Sequence, residues 1–132
     1  MLERIAHGHA LEIRLARPPV NALDPTLLSA LADAFSPSQL RGVDGVILSG
    51  GPKVFSGGLD VPHLLGLDRS GLTAAWSGFF AAARAIARCP VPVAAAIGGH
   101  SPAGGCVLAL CCDYRIMARG AYRIGLNETQ VG

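Results

Sequence analysis

Apolar and polar residues alternate from Leu11 to Leu15, where Leu11, Ile13 and Leu15 are separated by Glu12 and Arg14. A period of two predicts a half-buried strand. Arg17-Pro18-Pro19 ends it. Asp24 followed by Pro25 predicts a helix start, with a capping side chain and then proline at the first helical position. Leu27, Leu28, Leu31, Ala34 and Phe35 supply the apolar stripe of that helix, and Ser36-Pro37 stops it. Val43 to Leu48 reads as a buried strand, and Ser49-Gly50-Gly51-Pro52 as a loop. Val61-Pro62 can open a short helix. Leu72 to Arg88 predicts a longer one, with Trp76, Phe79, Phe80, Ala83, Ile86 and Ala87 on its buried side and Pro90 and Pro92 beyond its end. Val93 to Ile97 is a short strand, Gly98 to Gly105 a glycine-rich loop, and Cys106 to Cys112 an apolar helix. Asp113 to Ala118 and Tyr122 to Ile124 are expected as short strands. Strands alternating with helices make the class α/β, with neither an internal repeat nor a domain boundary.

Composition narrows the function classes. Of 132 residues, 51% are hydrophobic and 15% charged. This is an apolar chain for a small domain, so it has either a large core or apolar surface set against a partner. A net charge of +2, with scattered arginines, gives no nucleic-acid footprint. The apolar region from Ala81 to Cys112 is broken by Pro90, Pro92, Gly98, Gly99, Pro102, Gly104 and Gly105, so no membrane span is expected. MLERIAHGHALEIRL is not a secretory signal, and a soluble, bacterial-type cytoplasmic enzyme is expected. Cys89, Cys106, Cys111 and Cys112 form no Cys-x-x-Cys pair, and no His-Glu-x-x-His occurs. Buried reduced thiols are preferred to a metal site.

The candidate chemistry lies in two glycine turns and one acid. Ser56-Gly57-Gly58-Leu59-Asp60 and Ala103-Gly104-Gly105-Cys106 each follow a strand and lead into a helix. Glycine lets a ligand approach the main chain closely, and the first N–H groups of a helix lack intrahelical partners. If the two turns converge, they offer two N–H donors to one oxygen, an oxyanion hole. The same pattern also suits two ordinary tight turns. There is no Gly-Lys-Ser/Thr phosphate loop, no Gly-x-Gly-x-x-Gly after a strand and no Gly-x-Ser-x-Gly elbow. Glu128 is one of three glutamates, with Glu3 and Glu12, and sits among Ile124, Gly125 and Leu126.

RPPVNAL, FSGGLD and SPAGGC, in this order, resemble the crotonase (enoyl-CoA hydratase/isomerase) superfamily, from about Leu11 to Gly132. PAGGCVLAL, CDYRI and IGLNETQVG narrow the resemblance to its 3,2-trans-enoyl-CoA isomerases. The resemblance implies a ββα superhelix and an acyl-CoA thioester as substrate, with no separate cofactor because coenzyme A is part of that substrate. It implies an oxyanion hole from the Leu59 and Gly104 N–H groups. Gly57, Gly58, Leu59, Asp60 and Val61 would line the CoA and pantetheine path, and RPPVNAL would lie near the adenine end. Glu128 matches the acid/base of the family. Val107 stands where hydratases carry a second glutamate, so one carboxylate remains, the isomerase pattern. Moving a double bond needs only one base, and an apolar setting is expected to keep Glu128 basic and water scarce.

Other residues have plainer readings. Asp60 is expected as a helix cap, Trp76 as core, and Asp113 with Arg115 as a structural pair or solvated. Asn127 could orient Glu128 or simply make a turn. Arg17 and Lys53 could meet CoA phosphates or lie on the surface. Family members continue past the segment matching Val131-Gly132 with helices that cover the acyl pocket and build a trimer, often paired into a hexamer. The chain is therefore expected to be a truncated crotonase-like domain, a homotrimer or hexamer when full length. Alternatives are a hydratase-like or thioesterase crotonase, or an inactive acyl-CoA-binding or oligomerising fragment.

Overall fold

The computed structural model describes residues 1–131; Gly132, the last residue of IGLNETQVG, lies outside them. Strands β1 (Leu2–His7) and β2 (Ala10–Leu15) form an antiparallel hairpin turning at Gly8-His9. Helix α1 (Pro25–Ala34) and a 3-10 turn (Pro37–Leu40) lead to β3 (Gly45–Ser49). A long loop precedes α2 (Val61–Leu65) and α3 (Arg69–Ala87), followed by β4 (Val93–Ile97). The two-residue β5 (Ser101–Pro102), α4 (Gly104–Leu110), β6 (Tyr114–Met117), the two-residue β7 (Ile124–Gly125) and α5 (Glu128–Val131) complete the order.

The main sheet runs β1-β2-β3-β4-β6, parallel from β2 onward, and β5 pairs with β7 in parallel. One sheet face carries Leu11, Ile13, Leu15, Val46, Leu48, Val93, Ala95 and Ile97, all buried in one cluster with Leu27, Leu28 and Leu31 of α1 and Phe79, Ala82 and Ile86 of α3. At about 25 cal/mol per Å² of apolar surface, this layer is the main source of stability.

Local signals read well. The Asp24 carboxylate accepts from the Leu27 N–H at 2.8 Å, and Pro25 opens α1. Strand β1 carries no simple alternation that would reveal it in the sequence, because it is a largely exposed edge strand. Helix α3 begins earlier than Leu72, at Arg69, because the Asp68 carboxylate caps the Gly71 N–H at 2.7 Å. Its buried face is also different. Ala75, Phe79, Ala82 and Ile86 face inward at helical spacing, whereas Trp76 is 46% exposed and Phe80 58%. Trp76 is therefore not core. Small alanines let α3 approach its neighbours, and the bulkier aromatics sit about 100° round the helix.

Asp113 and Arg115 are not paired with each other. The Asp113 carboxylate accepts from the Val93 N–H at 2.8 Å, and Arg115 donates to the Cys112 carbonyl at 2.6 Å. Each closes a local backbone gap. Among the described residues, no helix is long and apolar enough to cross a membrane.

Candidate active site

Strands β3 and β4 are parallel neighbours, so the loops that follow them leave the sheet at the same end. That end is where open α/β sheets place ligands. The loops are joined directly: the Phe55 N–H donates to the His100 carbonyl at 2.8 Å, and the His100 N–H to the Lys53 carbonyl at 2.9 Å. The two glycine turns consequently abut. Gly58 has φ +89°, and a Cβ there would lie 3.0 Å from the Ala103 Cβ and 3.1 Å from the Gly104 nitrogen. Any side chain at residue 58 would wedge the turns apart.

The hydrogen bonds of the first turn leave one amide over. The Gly57 N–H donates to the Val20 carbonyl at 2.8 Å, the Gly58 N–H to the buried Ser56 Oγ at 3.2 Å, and the Asp60 N–H to the Leu23 carbonyl at 3.1 Å. The Leu59 N–H has no protein acceptor among the described residues. In the second turn, the Ser101 N–H donates to the Arg123 carbonyl and the Ala103 N–H to the Gly125 carbonyl, each at 2.9 Å. The Gly104 N–H, in the first turn of α4, has no acceptor among the described residues. Ala103 is held at φ +50°, ψ −125°. Such a conformation costs a non-glycine residue about 1–3 kcal/mol and persists only where its surroundings impose it.

Leu59, Gly104 and Glu128 border one cavity of about 300 Å³, with Gly57, Val61, Leu64, Trp76, Ala103 and Asn127. Gly58 lies behind the wall as the contact between turns. Asp60 caps α2, accepting from the His63 N–H at 3.2 Å. Arg17 is held by protein carboxylates, 3.2 Å from Asp24 and 2.9 Å from Asp60, rather than left to a phosphate. Lys53 and the Pro18-Pro19 segment meet at a separate cleft of about 480 Å³. Val107, partly buried, packs against the core from α4. Trp76 and Leu64 are wall residues that periodicity could not assign.

Glu128 is exposed at the start of α5, beside the equally exposed Leu126 and Asn127, and is not enclosed by apolar groups as expected. The Cys106 thiol is pushed up by burial and then by the Glu128 carboxylate, against an opposing hydrogen bond from the Gly125 main chain. Burial pushes Cys112 up to about 12. All four cysteines are free, and among the described residues no three His, Cys, Asp or Glu side chains are placed to hold a metal.

The enoyl-CoA hydratase/isomerase family profile matches residues 6–132. The chain is 37% identical over 125 residues to mouse enoyl-CoA delta isomerase 1, mitochondrial, covering 91% of this chain and 43% of that protein. It is 36% identical over 137 residues to the human protein of that name, covering 100% and 45%. The crystal structure of human mitochondrial delta3-delta2-enoyl-CoA isomerase superposes with TM-score 0.92 at 34% identity, over 99% of this chain and 53% of that one. The chain thus spans about half the length of the relatives it matches.

Proposed function

Because this chain belongs to the enoyl-CoA hydratase/isomerase family, with its crotonase fold, we propose that the intact protein is a 3-enoyl-CoA isomerase of unsaturated fatty-acid β-oxidation. The thioester oxygen accepts hydrogen bonds from the Leu59 and Gly104 N–H groups. Polarising that carbonyl acidifies the protons on C2. The Glu128 carboxylate removes one, and the charge spreads over a dienolate whose oxygen stays on the two amides. The same carboxyl returns the proton to C4, and the double bond moves from C3–C4 to C2–C3. No atom is gained or lost.

One observation carries this reading: Leu59 and Gly104, whose N–H groups find no acceptor among the described residues, border a single cavity with Glu128. Val107 supports isomerisation over hydration, since valine provides no second carboxylate to activate water. Val61, Leu64 and Trp76 give the acyl chain an apolar wall.

The test is Glu128→Gln in the intact protein, assayed on a 3-enoyl-CoA. The substitution keeps shape and removes the base. Turnover should fall about 10²–10⁴-fold, towards the upper end because one group makes both transfers, with KM little changed because the thioester contacts are main-chain. In deuterated water, part of the migrating hydrogen should be retained in the product of the unsubstituted enzyme. Near-normal turnover by Glu128→Gln would place the base elsewhere.

A further inference from the structure

Arg17 and Leu59 are far apart in sequence, yet the fold ties them together through one guanidinium. Arg17 Nε lies 3.2 Å from the Asp24 carboxylate, which also caps α1. One terminal nitrogen donates to the Ala22 carbonyl at 3.2 Å, and the other to the Asp60 carboxylate at 2.9 Å. That Asp60 carboxylate also caps α2. Its main chain adjoins Leu59 directly. On either side of Leu59, the backbone is stitched to Leu23: the Leu23 N–H donates to the Gly58 carbonyl at 2.8 Å, and the Asp60 N–H to the Leu23 carbonyl at 3.1 Å. Arg17 therefore holds both strands of this stitch, one through Ala22 and Asp24, the other through Asp60.

We propose that Arg17 is a positioning residue, which fixes the direction of the Leu59 N–H by clamping Asp60 to the Ala22–Asp24 segment. The proposal rests on the reading that this N–H holds a thioester oxygen. The Leu59 N–H finds no acceptor among the described residues, so its direction is set by the hydrogen-bonded residues on either side. The planar guanidinium satisfies three acceptors in fixed directions, which the single ammonium of lysine cannot reproduce. The three side chains are partly screened from water, at 29% exposure for Arg17, 18% for Asp24 and 17% for Asp60. An oxyanion donor acts through its alignment, and small misplacements carry large rate penalties.

The experiment uses the intact protein and a dimethylaminocinnamoyl-CoA thioester, a chromophore whose absorption moves to longer wavelength when its carbonyl is polarised. Arg17→Lys and Asp60→Asn are compared with the unsubstituted protein, with folding followed by circular dichroism. Asn at residue 60 retains a capping oxygen, so a folded variant is available even if Arg17→Lys does not fold. The expected result is a clear red shift in the parent, a smaller one in the folded variants, and kcat on a 3-enoyl-CoA lowered about 10- to 100-fold with KM changed far less. A purely structural role would lower stability and leave the bound spectrum unmoved. Folded variants with the full red shift and unchanged kcat overturn the role of Arg17 alone. A parent with no red shift overturns the oxyanion reading, and the positioning role with it.

Discussion

In the proposed reaction, Val107 is the residue that favours isomerisation over hydration. It stands three residues beyond Gly104 on α4 and is partly buried against the core. Val107→Glu adds the carboxylate that the sequence lacks there. Some hydration of a 2-enoyl-CoA should appear, read as loss of the conjugated thioester absorbance, while isomerisation falls. Placing a carboxyl in a half-apolar site should also cost about 1–3 kcal/mol of stability, measurable by urea unfolding. A folded variant that binds the CoA ester and hydrates nothing would show that another feature separates the two activities.

At the scale of elements, helix α3 serves two neighbours at once. Its alanine-lined face and Phe79 pack inward, while Trp76 stacks on Phe80 with ring centroids 5.9 Å apart and forms part of the cavity wall. An aromatic that is half exposed beside an apolar cavity is available to cover an acyl chain. Trp76→Ala should leave folding nearly intact, since the core face of α3 is unchanged. Loss of that contact is worth about 1–2 kcal/mol, so KM for a long-chain 3-enoyl-CoA should rise about tenfold. A short-chain substrate should be affected much less. Equal effects on both chain lengths would mean that Trp76 acts by shaping the oxyanion turns rather than by touching the chain.

Across the whole molecule, a buried carboxylate with half-exposed charged partners ties the hairpin to the parallel sheet. Glu12 on β2 is 8% exposed and accepts from Ser49 Oγ on β3 at 2.6 Å, from His7 on β1 at 2.8 Å and from Arg14 at 2.9 Å. The Ser49 hydrogen bond, followed by that from His7 and the contacts with Arg14, outweighs burial and lowers the carboxyl from 4.5 to about 2. A pKa lowered by folding stabilises the folded state fully above the unfolded value. That contribution drains away as pH falls from about 4.5 towards 2; it is at most about 3 kcal/mol, and less in practice because water screens the half-exposed His7 and Arg14. Urea midpoints measured between pH 6 and pH 2.5 should fall steeply for the parent. For Glu12→Gln they should start lower and fall less; equal slopes would place the acid-sensitive group elsewhere.

Much of this molecule was legible along the chain, because many of its signals are local. Asp24-Pro25 caps a helix through atoms only three residues apart, and Leu11 to Leu15 shows its buried face within one strand. The ordered motifs carry the family. What the chain could not show depends on which segments become neighbours. The glycine turns are more than forty residues apart and abut only because β3 and β4 pair side by side in parallel. The spare Leu59 amide is visible only after Val20, Leu23 and Ser56 have engaged the amides around it. The partners of Arg17, the outward turn of Trp76 and the open setting of Glu128 are likewise results of packing. Helix and strand periods and end caps are set by interactions among adjacent residues, whereas cavities, free donors and charge partners are set by cooperative burial of distant segments.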